Sequence, residues 1–254
     1  MDLVFPPHPG PVPVVVWVHG GMWQFGSRLE GPGTGSAARA LVERGIAVAQ
    51  VEYRFSGEIV FPGCLHDVKA AVRWLRRFGP RLGINGEAIG VWGESSGGHL
   101  AALVAMNGVA MDGTDEQLDG TAGVTDGPST VTAAVAWCPV TDILALGPDG
   151  AGSDDPRSPE ALLIGGPTRQ HRQAAVFASP TTHVSGDAAP LLLVHGLEDA
   201  MVPPRQSVLL HEALMRVGAV SELDLVDDAG HVLFGVDIDP IADRSADFLG
   251  RHLG

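Results

Sequence analysis

Several things are scarce in this chain. Its 254 residues include only two cysteines, one tyrosine and 6% aromatic side chains. Cys64 and Cys138 lie far apart, in no metal-ligand or C-x-x-C spacing, which argues against a disulfide scaffold, a zinc motif or a dithiol redox centre. They read as two partly buried free thiols. Basic residues are few: 16 Lys and Arg stand against 30 Asp and Glu, a formal net charge of −14. Nucleic acid or an anionic membrane would call for a basic face, so neither is expected as a partner. No apolar run approaches the ~18 residues of a membrane span. The opening Met1-Asp2-Leu3-Val4-Phe5-Pro6-Pro7 lacks the basic and apolar regions of a secretory signal. A cytoplasmic protein is the expectation.

What is present is a globular composition, 45% hydrophobic and 18% charged, with 34 Gly and 19 Pro scattered through the chain. The length suits one large α/β domain, 1–254. Val14-Val15-Val16-Trp17-Val18 is a continuous apolar strand of the kind buried on both faces in a parallel sheet. Further strands are expected over 46–53, 88–92, 131–137, 191–195 and 220–226. Helices are expected over 36–44, 64–78, 205–217 and 238–252, with another directly after residue 95. In the 64–78 helix Leu65, Val68, Val72 and Leu75 recur at three- and four-residue steps. Residues 107–129 read as a polar loop. Residues 139–190 read as a lid- or cap-like insertion over the active site, too short to own a core. The alternation of strands and helices implies a mostly parallel, doubly wound sheet flanked by helices, with ligands outside the strands' carboxyl ends.

The chain is organised around Ala88-Ile89-Gly90-Val91-Trp92-Gly93-Glu94-Ser95-Ser96-Gly97-Gly98-His99-Leu100. An apolar strand meets Gly-x-Ser-x-Gly and a helix-competent run follows at once, which is the context of a nucleophile elbow. Ser95 is therefore the candidate nucleophile. A serine hydroxyl needs a base within hydrogen-bond reach. Of ten histidines, His231 follows the last apolar strand in Asp227-Asp228-Ala229-Gly230-His231, where a loop can carry an imidazole over the strand ends. His19 and His195 stand at strand ends, in positions that suit loop-holding hydrogen bonds, and His99 lies one helical turn beyond Ser95. The acid that orients the base is expected at Asp199, in the loop after the 191–195 strand, with Glu198 as its rival. Donors for a developing oxyanion are expected from the Ser96 amide and the Gly20-Gly21-Met22 loop.

Together these pieces resemble the α/β-hydrolase superfamily, and within it the bacterial BD-FAE esterases, which are feruloyl-esterase-like and near the kynurenine-formamidase and hormone-sensitive-lipase-like esterases. The resemblance rests on His19-Gly20-Gly21-Met22-Trp23 as an HGGxW motif, Tyr53-Arg54, Phe61-Pro62 leading to Asp67–Leu75, and Gly93–Leu100. It continues through Ser158-Pro159-Glu160, Ser179-Pro180, and His195-Gly196 with Asp199 and Val202-Pro203. It implies an α/β-hydrolase fold, a triad of Ser95, Asp199 and His231, and an oxyanion hole of the Gly21, Met22 and Ser96 amides. Two departures stand out. Ser96 replaces a small alanine and adds a hydroxyl beside the site. The segment before Asp2–Phe5 is short, so the sheet edge is expected to be clipped, favouring a homo-oligomer through that edge.

Trp23, Phe25, Trp137, Met201 and Val232 to Phe234 lie on or beside these loops and are candidates for an apolar acyl or alcohol pocket. The expected activity is a serine carboxylesterase on small to medium neutral alkyl or aryl esters, with a small-molecule ester as partner and no metal or organic cofactor. The alternatives are an amide-type hydrolase (formamide, carbamate or peptide bond) on the same triad, and a non-catalytic ligand-binding homologue.

Overall fold

The computed structural model describes residues 1–8, 10–106, 114–147 and 150–254, and of the helix beginning at 114 it describes side chains from 117 onward. Seven strands form one sheet: β1 (Asp2–Val4), β2 (Val12–Val18), β3 (Ala47–Val51), β4 (Ile84–Glu94), β5 (Ala133–Trp137), β6 (Leu191–Gly196) and β7 (Ser221–Val226). Their order is β1-β3-β2-β4-β5-β6-β7. Only β1 runs antiparallel, with Leu3 opposite Ala49; β2 through β7 are parallel, with Trp17 opposite Trp92 and Ala136 opposite Leu193. The reversal of strand order around β2, β3 and β4 places the cleft of a doubly wound sheet above the strands' carboxyl ends.

Alternation along each strand divides the core in two. Val14, Val16 and Val18 of β2, Ala134 and Ala136 of β5, and Leu191 and Leu193 of β6 face helices α2 (Gly63–Phe78), α3 (Ser96–Ala105) and α7 (Arg205–Arg216). Val15, Trp17, Val135, Trp137 and Val194 face α1 (Thr34–Glu43) and α8 (Asp239–Leu253). Strands apolar on both faces are the signature of a covered parallel sheet, and the central strands behave so. The edge strand β7 is partly exposed throughout.

One sequence reading needs correction. Within the stretch read as a loop, Thr114–Asp119 is helical, while 107–113 fall outside the described residues. Six residues give less than two turns, too few for a periodic signal. Across 139–190 short helices also occur, Pro159–Ile164 and Arg172–Phe177, the first capped by the Ser158 hydroxyl accepting from the Ala161 amide. Among the described residues no helix is long and apolar enough to cross a membrane.

Candidate active site

Ser95 stands between β4 and α3 with φ 54° and ψ −119°, a conformation L-residues rarely adopt. The flanking glycines make the bend possible: a Cβ on Gly97 would strike the carbonyl oxygens of Val18 and His19 at the end of β2. The Ser95 amide donates to the Trp137 carbonyl at 2.8 Å, tying the turn to the end of β5. Ser96 opens α3, so its N–H has no carbonyl one turn back.

His231, the expected base, arrives on a tight loop after β7. Val232 and Leu233 hold φ of 49° and 63°, and the Gly230 amide donates to the Phe234 carbonyl at 2.8 Å, closing the loop around His231. Burial pushes the pKa of the Cys138 thiol, at the end of β5, up to about 12, with the Gly196, Val232 and Leu233 amides opposing. His231 Nε2 comes to 2.9 Å from Ser95 Oγ, and its Nδ1 to 2.7 Å from Asp199 Oδ2. Three side chains from three loops thus form one hydrogen-bonded line.

Asp199 is fixed from several sides. Its Oδ1 accepts from the Met201 and Val202 amides, each at 2.9 Å. Its Oδ2 faces His231 and, at 3.2 Å, His195 Nε2. Burial alone would raise this carboxyl, but the hydrogen bonds from His195, His231 and the Val202 amide prevail and hold it well below the ordinary carboxylate range. An ionised Asp199 that accepts from Nδ1–H leaves Nε2 as the acceptor for the serine proton. His195 itself lies 2.7 Å from the Ser207 hydroxyl and 2.8 Å from the Val202 carbonyl. Cys138, His195 and Asp199 could offer metal-ligand atoms within 4.8 Å of one another. The imidazole and carboxylate atoms of that trio are already engaged in the bonds that fix Asp199.

The expected oxyanion donors lie on the loop after β2. Gly21 has φ 125°, and a Cβ there would run into the Phe25 carbonyl; Met22 and Trp23 also have positive φ. The Gly21 carbonyl takes the Gln24 and Phe25 amides at 2.9 and 3.1 Å, whereas the Gly21 and Met22 N–H groups have no protein acceptor among the described residues. His19 stacks on Tyr53 at 4.6 Å, and the Tyr53 hydroxyl lies 3.2 Å from the His19 carbonyl and 3.3 Å from Ser96 Oγ. One phenol therefore joins the strand that leads to Gly21 and Met22 to the residue that opens α3. The extra hydroxyl of Ser96 is buried in that contact and does not line the cleft.

Above Ser95 lies a cleft of about 350 Å³, lined by Gly20, Gly21, Met22, Phe25, Gly26, Glu30, Gly31, Pro32, Glu94, Ser95, Met201, His231 and Val232. Of the expected apolar wall, Phe25, Met201 and Val232 are there. Trp23 and Trp137 are not. Trp23 is 2% exposed and donates to His99 Nδ1 at 3.1 Å, and Trp137 packs in the core and donates to Ser245. Phe234 points outward, 82% exposed. None of the described lining residues belongs to 139–190; that segment is tied to α3 where the Ala178 carbonyl meets His99 Nε2 at 2.7 Å. Burial lowers the pKa of His99 to about 4, so it is a neutral strut. Sequence reasoning misses Glu94 and the 30–32 turn; a carboxylate closing the apolar run of 88–92 is the available signal for Glu94.

The BD-FAE family pattern matches residues 1–214. The chain belongs to the BD-FAE family. Its architecture is that of α/β-hydrolase esterases: it superposes with a TM-score of 0.88 on a structure described as a truncated carbohydrate esterase from gut microbiota, at 27% identity, covering 99% of this chain and 90% of that one. Among curated relatives it is 29% identical over 207 residues to the probable carboxylic ester hydrolase LipM of Mycobacterium tuberculosis, covering 78% of this chain and 44% of LipM. It is 29% identical over 257 residues to the esterase LipC of the same organism, covering 95% of this chain and 59% of LipC. The chain thus spans about half the length of these relatives.

Proposed function

We propose that this BD-FAE chain is a serine carboxylesterase acting on small to medium neutral carboxylic esters with alkyl or aryl groups. The observation that carries the reading is the hydrogen-bonded line from Ser95 Oγ through both nitrogens of His231 to Asp199, at 2.9 and 2.7 Å. In this reading Ser95 Oγ attacks the ester carbonyl while His231 Nε2 takes its proton. Asp199 holds the imidazole and stabilises the imidazolium. The Gly21, Met22 and Ser96 amides receive the developing oxyanion, and each such donor is worth about 3–4 kcal/mol of barrier in other hydrolases. His231 then protonates the leaving alcohol, and water, activated by the same imidazole, releases the acid from Ser95. The free amides, the helix start under Ser95 and the apolar lining from Phe25, Met201 and Val232 support the assignment. The esterase names of relatives and of the carbohydrate esterase structure agree with it.

The test is p-nitrophenyl butyrate turnover by wild type and Ser95→Ala. The variant is expected to lose kcat by roughly 10⁵–10⁶-fold with an unchanged melting temperature. Retention of most activity would remove Ser95 from the mechanism.

A further inference from the structure

The cleft above Ser95 carries charge of one sign. Its ionisable lining groups are Glu30, Glu94 and His231, with no lysine or arginine among the described lining residues. Glu94 is the unusual one, because it precedes Ser95 directly, faces the cleft and is only 2% exposed. The turn at 31–33 closes over its carboxyl: the Gly33 amide donates to Oε2 at 3.0 Å, and a Cβ on Gly31 or Gly33 would collide with one carboxyl oxygen or the other. Gly33 also abuts the Trp17 and Trp137 rings, so one side of the group is apolar. Oε1 has no protein donor among the described residues. It is not among the side-chain atoms sealed from solvent without a partner, so water reaches it from the cleft, and a bound ligand that displaces this water leaves it unsatisfied unless the ligand supplies a donor. Burial pushes the Glu94 pKa up to about 7, with the Gly33 amide and His231 opposing; above that pH the group is a carboxylate and Oε1 accepts.

We propose that Glu94 Oε1 is a specificity-determining acceptor, and that the esters this chain cleaves best carry a hydrogen-bond donor, a hydroxyl or an ammonium N–H, beside the scissile bond. The proposal rests on the esterase reading of Ser95 and narrows it. A purely alkyl group in the cleft strips Oε1 of water and returns nothing, whereas a donor restores the bond. Sites built around a substrate hydrogen bond reject analogues that lack it far more strongly than apolar pockets reject an added group. Anionic esters are disfavoured by both acidic side chains.

The experiment measures kcat/KM of the full chain on two matched pairs. 2-Hydroxyethyl acetate is set against propyl acetate, and 2-(dimethylammonio)ethyl acetate against 3-methylbutyl acetate. The wild type is expected to favour at least one donor-bearing ester by roughly tenfold or more, and the pair that responds identifies hydroxyl or ammonium as the donor. Glu94→Gln and Glu94→Met are both expected to shrink that preference to within about threefold, Glu94→Met the more so because it cannot accept a hydrogen bond. Either variant suffices if the other does not fold. Equal rates within both pairs in the wild type overturn the proposal, as does a preference that survives in a folded variant. No turnover of any of the four, with no fluorophosphonate labelling of Ser95, overturns the esterase reading and this proposal with it. Turnover without discrimination overturns this proposal alone.

Discussion

Along β5 and β6 the middle of the sheet buries Ala134, Ala136, Leu191 and Leu193 on one face and Val135 and Val194 on the other. A few residues further on, at the carboxyl ends of the strands, the chain buries His19, Glu94, His195 and Asp199 instead. Backbone conformation divides the same way. Among the described residues the non-glycine positions with positive φ are Met22 and Trp23 after β2, Ser95 after β4, Cys138 after β5, and Asp228, Val232 and Leu233 after β7. Every one sits at the site end of a strand. Each such residue costs of order 1–3 kcal/mol, so the regular interior must over-determine the loops it carries. The strand interior contributes stability, and the strand ends spend part of it on holding reactive groups in fixed places.

Breaking a strand-end contact should therefore damage turnover, and breaking an interior one should damage stability. Among variants that keep Ser95, the largest effect is expected from Asp199→Asn. It removes the acceptor that sets the His231 tautomer, and kcat should fall by roughly 10³–10⁴-fold, measured on p-nitrophenyl butyrate, with a smaller change in KM. Leu193→Ala takes a fully buried side chain out of β6. Chemical denaturation should show a loss of about 3 kcal/mol, while the folded protein keeps most of its kcat. If the two variants exchanged phenotypes, the division between interior and strand ends would fail.

Glu94→Gln sharpens the comparison with a smaller effect. Burial raises the Glu94 carboxyl to about 7, so the folded chain holds a proton that the unfolded chain gives up near pH ~4.3. Stability is then lost as pH rises between those two values, and the loss is complete above the higher one. Glutamine does not titrate and still offers an oxygen to the Gly33 amide. Relative to wild type, Glu94→Gln should gain nothing near pH 4 and about 3 kcal/mol or less by pH 8, read from denaturation curves at both pH values. A constant difference across that range would contradict the assignment of the proton to Glu94.

That Ser95, His231 and Asp199 come together was legible in the sequence because each follows a strand within a few residues, and strand ends are where a parallel sheet exposes side chains. The aromatic wall was harder to read. Trp137 ends β5, and the two-residue alternation that puts Val135 toward α8 carries Trp137 the same way, into the core. Trp23 turns inward because its backbone takes φ 58°, which nothing in the local sequence announces. Phe25, two residues on, was free to line the cleft. Glu94 carried its signal openly, as a carboxylate next to Ser95 at the end of the apolar run of 88–92, yet its exposure and its partner at Gly33 depend on a turn 61 residues earlier in the chain. Helices of six residues, such as Pro159–Ile164, are settled by packing and capping rather than by periodicity.

In the proposed mechanism the imidazole of His231 makes the hydroxyl of Ser95 nucleophilic. The most direct measurement of this is the rate and position of fluorophosphonate labelling, mapped by peptide mass spectrometry, in wild type and His231→Gln. One adduct per chain is expected, on Ser95, formed at least ~100-fold more slowly in the variant. A folded wild type that stays unlabelled, or labelling of Ser95 at the same rate without the imidazole, would contradict it.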